Sequence, residues 1–345
     1  MTIRKIKFAV VAAGLLALAV AVFWFWPAHE AAKPPPLAKL TLAMTRVIRS
    51  APLEIAFENG YFREEGLDVT PKYKDVGWQA LKDVLEDRAD IATVAETPVV
   101  YAALDKRKYT QTDRGDFVII AEIIASQGTE GGLARKDRGV LAPANLRGKT
   151  IGLPSGGTTA DFVLDSFLAH HRLRGSEVKI VRMEVTALGS ALETGEVDAV
   201  FFWEPHLKRW RDKLGANGVS LAPASGYTTS WLLVAMKDFA AKRSDLLVRF
   251  LRAVERAERF IRQHPDQTLD ILAKQGVHTR DLLAELKSNE FSLSLNQALL
   301  SVLEYEARWM IRNNLSDKTG MPDFLELIDT EPLAKVKPAS VGIVK

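Results

Sequence analysis

The feature that most restricts the fold is an alternation of short apolar segments with amphipathic segments, which begins near Leu40. Short apolar runs between turn residues are typical of strands, and apolar residues three or four positions apart are typical of helices. A first set predicts strands at 39–44, 67–73, 91–94 and 117–125 and helices at 51–59, 78–88 and 97–104. A second set predicts strands at 150–153, 178–183 and 199–202, helices at 159–171, 187–194 and 205–214, and a returning strand at 231–236. This order predicts an α/β protein.

The remainder of the chain carries a helical period. We expect helices at 244–263, 265–275, 279–287 and 295–313, a short helical piece at 322–329, and a loose tail at 331–345. Two α/β units joined by two extended crossings predict a two-lobed protein that closes about a hinge. One lobe is expected to comprise 38–127 and 232–330, and the other 128–231.

The N-terminus has the pattern of a membrane-targeting segment. Arg4, Lys5 and Lys7 precede an uncharged run at 8–26, which ends in four aromatic residues. A helix of this length spans roughly 28 Å, close to the hydrocarbon thickness of a bilayer. We expect an uncleaved anchor at 1–27, with a cleaved secretion signal or a buried core helix as alternatives. The first two place the body outside the cytoplasm, on the periplasmic side.

A proline-rich segment at 28–37 predicts an extended linker between this segment and the folded body. The net charge is +3, and residues 1–30 carry three cations and one anion, so the body is nearly neutral and no nucleic-acid partner is expected. The chain has no cysteine, which excludes disulfides and thiolate chemistry. His170 and His171 are adjacent on a predicted helix and diverge by about 100°. We therefore expect no metal, no cofactor, no enzymatic activity, and a monomer.

Candidate binding residues follow from the strand ends, because ligands of open α/β sheets bind beyond the carboxyl ends of the strands. The loop 154–159 lies between a predicted strand and a predicted helix. Its glycines allow close approach of the backbone, and the helix start offers free N–H groups to an oxyanion. An ordinary capped turn is the alternative at this loop.

Further candidates stand at the other strand ends and near the crossings. An indole at 78 or 203 suits stacking, a carboxylate at 96 or 204 suits a ligand amine, and an arginine at 46 suits an anion. Core packing, helix capping and a solvated arginine are the respective alternatives. The candidates are Thr45, Arg46, Gly77, Trp78, Gln79, Glu96, Thr97, Ser126, Ser155, Gly156, Gly157, Thr158, Thr159, Trp203, Glu204 and Tyr227.

Several segments, in order along the chain, resemble the nitrate/sulfonate/taurine solute-binding proteins, a group that also includes binders of thiamine-pyrimidine precursors. The segments are 52–56, 60–69, 88–92, 146–152, 191–199 and 203–205. Arg88 stands where this group usually has glycine. The resemblance implies a type II periplasmic-binding fold, a small-molecule ligand and the permease of an ABC importer as partner.

The sequence alone leaves the ligand class open. The glycine-rich helix start and Arg46 favour a small organic or inorganic anion, whereas Trp78, Trp203 and Glu204 suit a small heteroaromatic ring. An enzyme on the same fold is a second reading, but the related branch that makes the thiamine pyrimidine is associated with a cysteine-rich motif that this chain lacks. A third reading is an anchored ligand sensor.

Overall fold

The computed structural model describes residues 36–222, 227–274 and 291–344. Residues Leu37–Lys345 form one compact unit, and the fold below is that of this unit. The predicted anchor, nearly all of the predicted linker and the helix expected at 279–287 lie outside the described residues. Within the described ranges, no helix is both long enough and apolar enough to cross a membrane.

The described elements alternate in the expected order. The strands are β1 (Ala38–Thr45), β2 (Leu67–Lys74), β3 (Ile91–Ala95), β4 (Phe117–Gln127), β5 (Glu130–Arg135), β6 (Thr150–Pro154), β7 (Lys179–Met183), β8 (Ala199–Trp203), β9 (Gly218–Leu221) and β10 (Thr228–Met236). The helices are α1 (Ala51–Glu58), α2 (Tyr61–Glu64), α3 (Gly77–Leu85), α4 (Glu96–Leu104), α5 (Thr159–His170), α6 (Val185–Thr194), α7 (His206–Leu214), α8 (Lys237–Lys242), α9 (Ser244–Gln263), α10 (Pro265–Lys274), α11 (Gln297–Arg312) and α12 (Glu331–Val336). Strands β5 and β9 were not predicted from the sequence.

The first sheet has the strand order β2-β1-β3-β10-β4. Strand β1 runs parallel to β2 and β3, and β10 runs antiparallel to β3 and β4. Every residue of β3 is buried, as expected for a central strand covered on both faces. The carboxyl ends of β1, β2 and β3 therefore lie along one edge, where α3 and α4 begin.

The second sheet repeats this plan with the order β7-β6-β8-β5-β9. Strand β6 is parallel to β7 and β8, and β5 is antiparallel to β8 and β9. The chain enters this sheet between Gln127 and Glu130 and leaves it between Leu221 and Thr228. We call the parts around the two sheets the first lobe and the second lobe. The fold is thus α/β with two lobes and two crossings, as predicted.

The C-terminal region is more ordered than the sequence suggested. No helix forms at 322–329; the segment turns, and Ile328 makes a parallel bridge with Ile119 on β4. The expected loose tail was wrong for its described part, since α12 buries Leu333 completely and Val341 bridges Leu295. Helix α12 packs mainly on α9 and also contacts β4, which accounts for the burial of Leu333.

Candidate functional site

A cleft between the lobes has an empty volume of about 380 Å³, part of it open to solvent. Both sheets contribute strand ends and helix starts to its wall. The lining residues are Thr45, Val47, Arg49, Asp75, Val76, Gly77, Trp78, Ala95, Pro98, Thr158, Thr159, Trp203 and Trp231.

Two candidates, Thr45 and Arg46, stand at the end of β1, and of these two Thr45 lines the cleft. The Thr45 hydroxyl is buried, lines the cleft and has no hydrogen-bond partner among the described residues. Arg46, which the sequence named as the cation of the site, is exposed, and its guanidinium lies 3.7 Å from the centre of the Tyr73 ring. The structure therefore places Arg46 outside the cleft, because the strand's alternation turns its side chain away from Thr45.

Arg49 is the cation that the cleft contains, and sequence reasoning missed it. Its side chain is 6% exposed, and its Nη1 donates to the carboxylate of Glu130 and, at 2.8 Å, to Thr129 Oγ1. The guanidinium also lies 5.2 Å from the centre of the Trp231 ring. Since Glu130 begins β5, this ion pair joins the first lobe to the second at the wall of the cleft.

Two of the three candidates at the start of α3 line the cleft. Gly77 and Trp78 line the cleft. The Trp78 ring stacks on Tyr109 with centroids 5.8 Å apart, and its buried indole N–H has no acceptor among the described groups. Gln79 does not line the cleft; its amide oxygen accepts a hydrogen bond from the Asp75 N–H at 3.3 Å.

Of the five candidates in the loop before α5, two line the cleft and three do not. Thr158 and Thr159 line the cleft, and the Thr158 N–H donates to Asp161 at 2.8 Å, which fixes the first turn of the helix. The Asp161 N–H donates back to the Thr158 carbonyl at 3.0 Å, so the Thr159 and Ala160 N–H groups are the donors of that turn without an intrahelical acceptor. Ser155, Gly156 and Gly157 do not line the cleft, and the two glycines contact the first lobe instead.

At the end of β8, the side chains of Trp203 and Glu204 have different surroundings. Trp203 lines the cleft. The Glu204 carboxylate accepts from the Lys208 N–H at 2.7 Å and from Arg211 at 3.3 Å. Glu204 therefore caps α7, the alternative reading of this residue. Ser126 is buried beside the crossing, with its hydroxyl 3.4 Å from that of Thr129.

Glu96, Thr97 and Tyr227 lie next to the cleft but not on its wall. Glu96 is fully buried and accepts from the Tyr227 hydroxyl at 2.6 Å and from the Ser230 N–H at 2.8 Å. Burial raises the pKa of the Glu96 carboxyl to about 7.

A second buried carboxyl, Glu306 on α11, belongs to this cluster and was not expected. Burial first, and then the charge of Glu96, raise the pKa of Glu306 well above its ordinary value. Its carboxyl lies within hydrogen-bonding reach of the side chains of Glu96, Thr97 and Tyr227. Helix α11 thus places a second buried acid beside Glu96.

The cleft can hold a small molecule by several kinds of contact. Hydroxyls, a guanidinium and the first turn of α5 offer donors, Asp75 offers a carboxylate, and indole rings offer flat apolar surface. Within the described residues, no group of histidine and acidic side chains has the arrangement of a metal site.

Comparison with known proteins agrees with this architecture. Residues 48–268 match the family model described as NMT1/THI5 like. YtlA of Bacillus subtilis (strain 168) is 24% identical over 309 residues, covering 87% of this chain and 90% of that protein. The taurine-binding periplasmic protein of Escherichia coli (strain K12) is 23% identical over 246 residues, covering 68% of this chain and 72% of that protein.

Among solved structures, the alkanesulfonate-binding protein SsuA from Xanthomonas axonopodis pv. citri, bound to MOPS, has the same fold. It superposes with a TM-score of 0.72 at 15% identity, covering 86% of this chain and 99% of that chain. Both of these proteins that are named for a function are named as binding proteins. Since the family model spans well over half of its length, the chain belongs to the NMT1/THI5-like family and has the two-lobed fold of periplasmic solute-binding proteins.

Proposed function

We propose that this protein is the extracytoplasmic solute-binding component of an ABC importer and that it takes a small organic anion into the cleft between its lobes. The observation that carries the proposal is Arg49, a buried guanidinium on the wall of that cleft. Its Nη1 is held by Glu130 and Thr129, which fixes the guanidinium at the cleft wall. A guanidinium held in this way presents fixed donors to an oxyanion.

The charge balance of the cleft disfavours a multiply charged anion. Glu130 balances the charge of Arg49, and Asp75 adds a carboxylate at the cleft wall. Because the wall has no excess positive charge, a multiply charged inorganic anion would meet repulsion. An organic monoanion can instead bury its apolar body against Trp78, Trp203 and Trp231 and direct its oxygens to the hydroxyls and N–H groups.

The names of related proteins support the same ligand class. The Escherichia coli relative is named for taurine and the Xanthomonas structure for alkanesulfonates. We extend this to the present chain as a sulfonate-type ligand. Asp75 would suit an ammonium group at the far end of such a ligand, as in an aminosulfonate.

A flat heteroaromatic ligand, such as a pyrimidine precursor of thiamine, is the second candidate. The three indole rings in the cleft wall favour it, because they offer stacking surfaces to a planar ring. Such a ligand would gain little from Arg49, so the two candidates differ in their dependence on that residue.

A ligand screen by thermal unfolding tests the proposal. The panel contains alkanesulfonates, an aminosulfonate, nitrate and substituted pyrimidines. A ligand at 100 times its Kd should raise the free energy of unfolding by about 2.7 kcal/mol. Stabilisation by sulfonates supports the proposal, and stabilisation by pyrimidines alone would replace it with the second candidate.

The importer and the location are also part of the proposal. The N-terminal apolar run supports export or anchoring on the periplasmic side, where the closed protein would meet a permease. Deleting the gene and measuring uptake of the ligand tests the partner. Loss of uptake supports transport, whereas normal uptake with altered gene expression would favour a sensor.

A further inference from the structure

Gly156 and Gly157 of the second lobe lie against side chains of the first lobe, outside the wall of the cleft. We use the name glycine contact for these two residues together with Trp78, Tyr101, Lys108 and Tyr109. The contact adjoins Thr158 and Thr159, which do line the cleft. Its geometry therefore sets how these two threonines approach a ligand.

Gly156 fits against the edge of the Trp78 indole. A Cβ added at Gly156 would overlap Nε1 of Trp78 and lie 2.5 Å from its Cε2. The ring cannot retreat easily, because its face is stacked on Tyr109. Only a residue without a side chain allows the second lobe to come this close.

Gly157 makes the equivalent approach to two other residues of the first lobe. A Cβ there would lie 2.7 Å from Lys108 Cε and 2.8 Å from Tyr101 Cε2. The Gly157 carbonyl also accepts a hydrogen bond of 3.1 Å from the buried Tyr109 hydroxyl. Shape and hydrogen bonding thus act at the same point.

Two flanking contacts hold the same face of α5. The Trp309 indole N–H donates to Asp165 at 2.8 Å, and the Phe162 ring packs edge-on against Trp309 with centroids 5.1 Å apart. All of these contacts join protein groups across the lobe junction, so none of them needs a ligand to form.

We infer that the glycine contact is a built-in closure surface, in which Gly156 and Gly157 act as positioning residues that hold the lobes together and do not touch the ligand. A substantial fraction of the protein is then closed before any ligand binds. Substitution lowers that fraction and weakens all ligands by one common factor. The effect on affinity rests on the proposed function, whereas the effect on closure does not.

A purely local role is the competing explanation, because both glycines have positive φ angles, +96° and +74°, which other residues rarely adopt. Gly148 provides the matched control in the same lobe. Its φ is +75°, and nothing lies within 4 Å of a Cβ added there. Gly148→Ala therefore carries the backbone cost without the collision.

The test measures the distance between the lobes by electron spin resonance. The chain has no cysteine, so Gln111→Cys and Ser190→Cys, both at exposed positions, allow a spin label on each lobe without background. Without ligand, the parent protein and Gly148→Ala should show the same short distance. Gly156→Ala and Gly157→Ala should shift most of the population to longer distances.

Two additional readouts separate the explanations. Adding Trp78→Ala to Gly156→Ala should restore the short distance, because the colliding ring is removed. If a substitution lowers the closed fraction to about one tenth of its value in the parent protein, the Kd of every ligand should rise about tenfold. An open parent protein, or equal effects of Gly148→Ala and Gly156→Ala, would overturn the inference. The distance measurement remains decisive even if no anion binds.

Discussion

The Nη1 atom of Arg49 forms a buried ion pair with the carboxylate of Glu130, a residue 81 positions away in the chain. The two side chains are 6% and 1% exposed. Removing one member of such a pair leaves an unpaired buried charge and typically costs about 3–5 kcal/mol. Loss of either member would therefore weaken the lobe junction at the cleft wall.

Arg49→Lys should weaken binding of an organic anion about tenfold or more while keeping the charge. A lysine ammonium is a point charge and cannot hold Glu130 and a ligand oxyanion together with the fixed geometry of a guanidinium. Isothermal titration calorimetry measures this change. The exposed Arg46 supplies the control, since Arg46→Lys should leave the Kd unchanged; equal losses in both variants would show that Arg49 has no special role.

Asp75→Asn should separate two kinds of sulfonate. The carboxylate at the cleft wall can pair with an ammonium group, so the substitution should weaken an aminosulfonate several-fold and leave a simple alkanesulfonate unaffected or slightly tighter. Competition binding with the two ligands measures the ratio. An unchanged ratio would mean that Asp75 does not contact the ligand.

Stability should fall as the pH rises from about 4.3, where a glutamate titrates in the unfolded chain, through the pKa of about 7 that burial gives Glu96 in the folded protein. Over this range the folded state binds protons that the unfolded state has released. Glu306, whose pKa is also raised, acts in the same direction. When the folded and unfolded pKa of one group differ by one, the free energy of unfolding changes by about 1.4 kcal/mol across the transition.

Glu306→Gln should therefore raise the free energy of unfolding at pH 8 and reduce its dependence on pH, because the substitution replaces a buried acid beside Glu96 with a neutral amide. Urea unfolding at pH 5 and pH 8 measures both effects. Glu304→Gln, on the solvent side of the same helix, is the matched control. A loss of stability at pH 8 in Glu306→Gln would contradict this account of the cluster.

Trp309→Phe should weaken ligand binding without altering ligand preference. The substitution removes the indole bond to Asp165, which joins the C-terminal helix α11 to the second lobe, and keeps the ring contact with Phe162. A bond to a charged group is typically worth about 1.5–3 kcal/mol, so the loss should be measurable by calorimetry. Tyr305→Phe, which keeps the other ring against Phe162, should have little effect.

The α/β order could be predicted from the sequence because strands such as β3 and β8 are continuous apolar runs. Strand β5 could not, because it contains two glycines and forms through its antiparallel pairing with β8. A Cβ at position 132 would lie 2.9 Å from the Phe201 ring, so only glycine fits there. That requirement exists only after the two strands have met.

The strand-end argument named several residues that line the cleft, among them Thr45, Trp78 and Trp203. Their contact with a ligand stays a prediction. Arg49 was missed because it lies four residues beyond the strand, and its partner Glu130 is brought there only by the crossing. Trp231 and Glu306 were missed for a related reason: each belongs to an element that reads as plain core or tail until the fold places it beside the cleft or the hinge.

The central claim is that the cleft recognises the negative charge of a small organic molecule through Arg49. The most direct measurement is a calorimetric comparison of an alkanesulfonate with the uncharged alcohol of the same carbon skeleton. We predict saturable binding of the sulfonate and at least a hundredfold weaker binding of the alcohol, on the order of 2.7 kcal/mol. Equal affinity for the two compounds would contradict the claim.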